Sequence, residues 1–154
     1  MTARRLVPSS TELPEVLALI QTTFAYMEGR IDPSSSVKAM NVETIVDQAR
    51  RGEIWVIGTP IQACIFLSPK EDCLHLGKLA VTKEAQGSGL ARQLVSVAEI
   101  RARARKLLTL RLEARIELVE NQAMFAHLGF VKVGETAHPG YDHSTSITFE
   151  KTLL

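Results

Sequence analysis

Apolar residues recur along this chain with two different periods, and the alternation between those periods predicts the order of its elements. Residues 3–7 suit a short strand that Pro8 stops. Leu13, Val16, Leu17 and Ile20 then recur at helical spacing as far as Thr23, with Ser9, Ser10 and Thr11 offering N-cap oxygens before Glu12. A second helical stripe, Val42, Ile45, Val46 and Ala49, predicts a helix that begins at Ser36 or Val42 and ends at Arg51. The connection between the two helices combines Tyr26, Glu28, Arg30 and Asp32 with Gly29, Pro33 and three serines, which marks a loop near a functional surface or a plain helix connection.

The period then changes to two. Residues 53–58 and 61–68 are β-rich runs separated by Thr59-Pro60, the pattern of an antiparallel hairpin, and residues 73–81 add a third strand. Counting by two along that strand puts Cys73, His75, Gly77, Leu79 and Val81 on one face and Leu74, Leu76, Lys78 and Ala80 on the other. A turn with two glycines leads into a helix whose Leu90, Ala91, Leu94, Val97 and Ala98 share a face. Leu108, Leu110 and Leu112 alternate with Thr109, Arg111 and Glu113 as a half-buried strand. A short helix over 120–128 ends at Gly129, a strand opens at 130–133, HPGYDH forms a loop, and 146–153 closes the chain as a last strand. The order β, α, α, β, β, β, α, β, α, β, β predicts a mixed α/β sheet of the α+β kind. It is not doubly wound, because the three central strands follow one another without crossover helices.

Composition narrows this only slightly. A chain of 154 residues, 45% hydrophobic and 23% charged, is expected to fold as one domain over 1–154. No apolar run approaches the roughly 18 residues of a membrane-spanning helix. A formal charge of +1 supplies no field that would recruit nucleic acid or an anionic membrane. Arg101, Arg103, Arg105 and Lys106 form a local basic run at a helix end, where cations offset the helix dipole and face water. Cys64 and Cys73 lack metal-ligand spacing and read as reduced, partly buried thiols, with a pair across the hairpin as the alternative. The N-terminal residues carry charge and no apolar stretch of the kind a secretory signal uses, so a cytoplasmic protein is expected.

The candidate chemistry lies in the glycine turn. Gln86-Gly87-Ser88-Gly89-Leu90-Ala91 brings backbone N–H groups to the start of a helix, where unpaired donors and the helix dipole favour an anion. It lacks the third glycine of a dinucleotide fingerprint, since Arg92 stands there, and the Lys-Ser/Thr pair of a Walker loop. It does match the Q/R-x-x-G-x-G/A pattern of the GCN5-related N-acetyltransferases (GNAT), and it follows Leu79-Ala80-Val81 as that pattern does. The segment from Glu120 to Phe130 resembles the family's second signature, which closes in a hydrophobic residue, Gly and Phe.

The resemblance implies a GNAT-like acyl-CoA N-acyltransferase fold. It also implies an enzyme that moves an acetyl or acyl group from acetyl-CoA to an amine of a small molecule or peptide by direct attack on the thioester. The turn residues Gln86, Gly87, Ser88, Gly89, Leu90, Ala91 and Arg92 would cradle the coenzyme A pyrophosphate. Leu79, Ala80 and Val81 would bond the pantetheine arm like an added strand, and a strand N–H would polarise the thioester carbonyl. Asn121 matches the family's cofactor-contacting asparagine at a shorter spacing, and Phe125 would pack against the pantetheine. A homodimer is family habit.

His75 is the base candidate, four residues before Leu79, where related enzymes place a histidine or a glutamate. The alternative is a histidine satisfied at a strand end. Phe125 departs from the pattern, because many members have at this position a tyrosine that protonates the leaving thiolate. Tyr141, Tyr26 or solvent would have to replace it. Acceptor recognition falls to Tyr26, Glu28 and Arg30 after the first helix and to His138, Tyr141 and His143 in the last connection. The alternative for Glu28 and Arg30 is that they pair with each other or with water. Two competing functions remain open at this level: an acetyl-CoA-sensing module without catalysis, and a nucleotide-binding protein that uses the glycine turn alone.

Overall fold

The structure is a computed structural model that describes residues 2–154. Helix α1 (Leu13–Thr23) buries Leu13, Val16, Leu19 and Ile20; Leu19 takes the core place expected for Leu17, which is only partly buried. Its N-cap is Glu12, with no side-chain cap; Ser10 Oγ instead accepts the Glu12 N–H at 3.1 Å. Helix α2 (Val42–Arg51) begins at a reciprocal capping box. The Asn41 side chain accepts the Thr44 N–H at 3.0 Å, and Thr44 Oγ1 accepts the Asn41 N–H at 3.2 Å. That box decides the helix start, and Ser36–Ala39 forms a separate 3₁₀ turn.

Seven strands make one sheet: β1 (Ala3–Arg5), β2 (Glu53–Ile57), β3 (Ala63–Pro69), β4 (Leu74–Val81), β5 (Thr109–Arg115), β6 (Val131–Thr136) and β7 (Ser146–Thr152), in the spatial order β1-β2-β3-β4-β5-β7-β6. Helix α3 (Leu90–Ala104) crosses from β4 to β5, and α4 (Val119–His127) joins β5 to β6. The element order is the one the periodicity predicts, as a mixed sheet with α1 and α2 packed on one face and α3 on the other. On α3 the buried stripe is Leu90, Leu94, Val95, Ala98 and Ala102, set against Leu74, Leu110 and Leu112 of the sheet. Each such leucine contributes about 1.5–3 kcal/mol by leaving water.

Two features of the sheet create the site. First, β4 and β5 are its parallel pair, matched only at Leu74 with Leu110 and His75 with Arg111. Beyond those residues no strand among the described residues pairs with the facing edges, and the two strands diverge. Second, β4 carries a bulge. Cys64 opposes Ala80 but Phe66 opposes Gly77, so one β3 residue faces two on β4, and Lys78 takes a left-handed backbone with φ 47°.

The bulge overturns the uniform alternation expected along β4. Leu74 and Leu76 belong to the core under α3, and Leu79 and Val81 pack against that same core, whereas Ala80 joins the core under α1 and α2. His75 and Leu79 therefore do not share a face. The extra residue at Lys78 inverts the count between them.

The basic run is also corrected. Glu53, fully buried at 0% exposure, is clamped by Arg101 (Nε 2.8 Å) and Arg105 (Nη2 2.7 Å) and accepts the Trp55 indole N–H at 2.8 Å. Burial alone would push its carboxyl pKa up; the hydrogen bonds from Arg101, Trp55 and Arg105 outweigh that and hold it at about 2. Two of the four cations at the end of α3 thus serve a buried carboxylate. Cys64 and Cys73 are buried free thiols, and burial pushes Cys64 up to about 12.

Candidate active site

The divergence of β4 and β5 opens a cavity of about 910 Å³ between the sheet, the N-terminus of α3, α4 and the connection that follows α1. Its walls include Leu79 and Val81 on β4 and Gln86, Gly87, Gly89, Leu90, Ala91 and Arg92 at the turn. Glu113 and Arg115 come from β5, Asn121 and Phe125 from α4, and Tyr26 and Arg30 from the connection after α1. Residues distant in sequence meet here because the small core of Phe24, Met27, Ile31 and Leu118 holds the connection against the start of α4.

At the turn, Gly87 and Gly89 have φ of 84° and 87°, a region that side chains rarely adopt, and no atom lies within 4 Å of where a Cβ would stand on either. Gly89 is the N-cap of α3 and no side chain caps that helix. The first-turn N–H groups consequently face the cavity with the helix dipole behind them.

Across the cavity, Tyr26 and Asn121 are bonded, the amide Nδ2 donating to the phenol oxygen at 3.2 Å. Arg30 pairs with Glu120 at 2.7 Å and lies 5.7 Å over the Tyr26 ring. Glu28 does not line the cavity and pairs with Lys38 at 2.7 Å. Glu28 and Arg30 therefore do not pair with each other, because each has an opposite charge nearer on a neighbouring element. Phe125 packs with Phe130 and Phe149, ring centroids 6.1 and 6.3 Å apart.

His75 stands behind the cavity wall. Its Nε2 lies 2.7 Å from Oε1 of Glu113, which does line the cavity. An ionised carboxylate has no hydrogen to give, so Nε2 carries it. That hydrogen bond is the main reason the Glu113 carboxyl lies below the usual carboxylate range, against the opposing effect of its burial. Beside this pair, Arg111 bonds Glu150 at 2.7 Å and Asp72 at 3.0 Å and fixes the root of the fork.

Tyr141, His138 and His143 gather outside the cavity. Tyr141 donates its hydroxyl to Asp32 at 2.5 Å, a bond that raises the phenol pKa, while His138 Nδ1 bonds Thr145 and His143 bonds Asp142. The structure thus brings Tyr26, Arg30, Asn121, Phe125, Leu79, Val81 and the glycine turn together, and leaves Glu28, His138 and Tyr141 apart; the side chain of Ala80 joins the core under α1 and α2, and Ser88 turns its hydroxyl to the Ala85 carbonyl and does not line the cavity. Glu113, Lys78 and Arg115 are wall residues that sequence reasoning missed as site candidates. The alternation of β5 put Glu113 opposite its leucines, but nothing local told that this face meets His75.

The fold that holds this site is shared with known acetyltransferases. Residues 50–132, more than half the chain, match the acetyltransferase (GNAT) domain model. The chain belongs to the GNAT acetyltransferase family. The PaiA N-acetyltransferase of Thermoplasma acidophilum, in complex with coenzyme A, superposes with a TM-score of 0.81 over 98% of each chain at 13% identity. An acetyltransferase of Streptococcus agalactiae gives 0.76 over 99% of this chain and 98% of that one at 16% identity. A GNAT family acetyltransferase of Elizabethkingia anophelis with acetyl-CoA bound gives 0.69 over 99% and 97% at 17% identity. At these identities the likeness is one of fold. No curated protein sequence matches the chain significantly.

The protein is accordingly an N-acetyltransferase whose acetyl donor is acetyl-CoA. The residues present fit that donor: the open space over Gly87 and Gly89, the uncapped α3 start and the unpaired edge of β4 suit a pyrophosphate followed by an extended amide-bearing arm. Among the described residues no helix is long and apolar enough to cross a membrane.

Proposed function

We propose that the chain transfers an acetyl group to a primary amine of a small molecule or peptide, by direct attack of the amine within the fork between β4 and β5. The single observation that carries this reading is that the anion-binding helix start and the Glu113 carboxylate line one continuous cavity. Acetyl-CoA supplies an activated thioester. Gln86, Gly87, Ser88, Gly89, Leu90, Ala91 and Arg92 bind its pyrophosphate, and Leu79, Ala80 and Val81 offer their free strand edge to the pantetheine. Asn121 and Phe125 flank that arm from α4.

Glu113 is the proton acceptor for the incoming amine, directly or through water. Glu113 and Glu120 are the carboxylates on the wall, Glu120 is taken up by Arg30, and the lowered pKa of Glu113 keeps it ionised at neutral pH. The same lowering makes it a weak base, so the proton moves on to solvent through the open cavity instead of staying on the carboxylate. His75 is a positioning residue, aiming the carboxylate through Nε2–H. When the N–C bond forms and the C–S bond breaks, the departing sulfur needs a proton. Tyr26 supplies it, since Tyr26 lines the cavity whereas the Tyr141 hydroxyl is committed to Asp32 outside it. The test is release of free thiol from acetyl-CoA with a panel of primary amines: amine-dependent release is expected, and release with no amine dependence would contradict the reading.

A further inference from the structure

Positive charge collects, uncompensated, beside the fork. Lys78 sits at the bulge and lines both the main cavity and a second one of about 630 Å³ between α2 and β3. Among the described residues its ammonium hydrogen-bonds only the Ser36 hydroxyl, at 3.2 Å. On the main-cavity side stands Arg115, whose guanidinium donates to the carbonyls of Pro33 (2.7 Å) and Ser34 (3.1 Å). On the other side Arg51 and Lys70 line the second cavity, whose one acidic lining residue, Asp47, is paired with Arg50 at 3.1 Å. Among the described residues none of these four cations has a carboxylate within salt-bridge distance. Carbonyls and a hydroxyl satisfy hydrogen bonds and leave the charge in place. The acids lining the main cavity are both engaged elsewhere, Glu113 by His75 behind the wall and Glu120 by Arg30 at 2.7 Å.

We propose that the acceptor is an amine that also carries an oxyanion, a carboxylate or a phosphate, held by Lys78 and Ser36 at the junction of the two cavities, with Arg115, Arg51 and Lys70 supplying the surrounding field. This rests on the N-acetyltransfer reading and names its substrate class. The cavity wall is then dipolar: the cationic amine end faces Glu113 and the anionic end faces Lys78. Burial lowers the Lys78 pKa, and neighbouring Arg115 lowers it further, as expected of a cation that lacks its counter-charge. A bulge that costs a lysine left-handed backbone also aims this side chain off the regular strand, which is a common use of a bulge beside a site.

The experiment compares matched amines that differ in the anion: β-alanine with propylamine, and O-phosphoethanolamine with ethanolamine. Each is titrated calorimetrically into the protein saturated with coenzyme A, and kcat/KM is measured with acetyl-CoA. The anionic member of at least one pair is expected to bind about tenfold to a hundredfold more tightly, the size of a charge-assisted contact. Lys78→Met should bring that ratio near one and Lys78→Arg should restore it. Equal or tighter binding of the neutral members by the parent protein, or an unchanged ratio in Lys78→Met, would overturn the proposal, as would no binding of either member. The parent comparison stands alone should the methionine variant not fold. Inorganic phosphate separates the sources of the anion: competition with the anionic amines supports a group on the acceptor itself, while phosphate that promotes binding of the neutral amines means a separate anion and overturns it. Turnover of neutral amines without preference would sink this inference and leave N-acetyltransfer standing, whereas a failure of transfer itself would show as absent thiol release with the calorimetric ratios still readable.

Discussion

His75 Nε2 meets Glu113 Oε1 at 2.7 Å across the last point at which β4 and β5 run side by side. The pair ties the root of the fork and sets the charge of the only carboxylate we place at the reacting amine. Because His75 is the main cause of the lowered Glu113 pKa, its removal raises that pKa. His75→Ala, which removes the donor, should therefore move the acid limb of the kcat/KM profile to higher pH, with a smaller change in the plateau. A limb that stays in place would remove His75 from its positioning role.

The Glu53 clamp makes a separate prediction about stability. Its folded pKa of about 2 lies below the ordinary 4.5, so the stabilisation is complete above the ordinary value and is lost as pH falls toward 2. Glu53→Gln leaves Arg101 and Arg105 without their counter-charge and should cost about 3 kcal/mol, or about 6–12 °C in Tm at neutral pH. Its stability should also fall less steeply than that of the parent between pH 5 and 2. Thermal melts across that range check both statements, and equal acid slopes would contradict the clamp.

These two pairs show where sequence reasoning ends. Strand and helix identities followed from apolar periods, and the glycine turn from local chemistry, because both depend on neighbours in the chain. Lys78 carries no mark of a left-handed bulge, since lysine has no preference for that backbone. Counting by two past it consequently put His75 and Leu79 on one face. Glu53 and Arg101 are 48 residues apart, and only the packing of α3 on β2 brings the basic run over a buried acid. Glu113 was legible as the polar half of an alternation, but its pairing with His75 depends on a parallel register that no local pattern encodes.

The turn glycines can be tested without dismantling the fold. Alanine at Gly87 or Gly89 meets no atom within 4 Å but must adopt a left-handed φ, which costs about 1–2 kcal/mol. Gly89→Ala should fold with a Tm lowered by a few degrees and bind acetyl-CoA about tenfold or more weakly, as the methyl group enters the cradle. Calorimetry with acetyl-CoA decides, and parent-like affinity would move the pyrophosphate elsewhere.

Tyr26 and Asn121 hold each other across the cavity mouth. Tyr26→Phe keeps the ring under Arg30 and removes the hydroxyl, so kcat should fall about 10²-fold while KM for acetyl-CoA stays within a few-fold. Acetyl-CoA analogues with a more acidic thiol leaving group should recover much of the loss. An unchanged kcat would assign thiolate protonation to solvent.

Glu113→Gln tests the central claim most directly, with thiol release followed at saturating acetyl-CoA and neutral pH. The amide preserves shape and a hydrogen bond to His75 but cannot take a proton. A fall in kcat/KM for the amine of about 10²–10⁴-fold, with acetyl-CoA affinity retained, is the predicted result. Parent-like turnover would contradict the assignment of Glu113 as the group that receives the amine's proton.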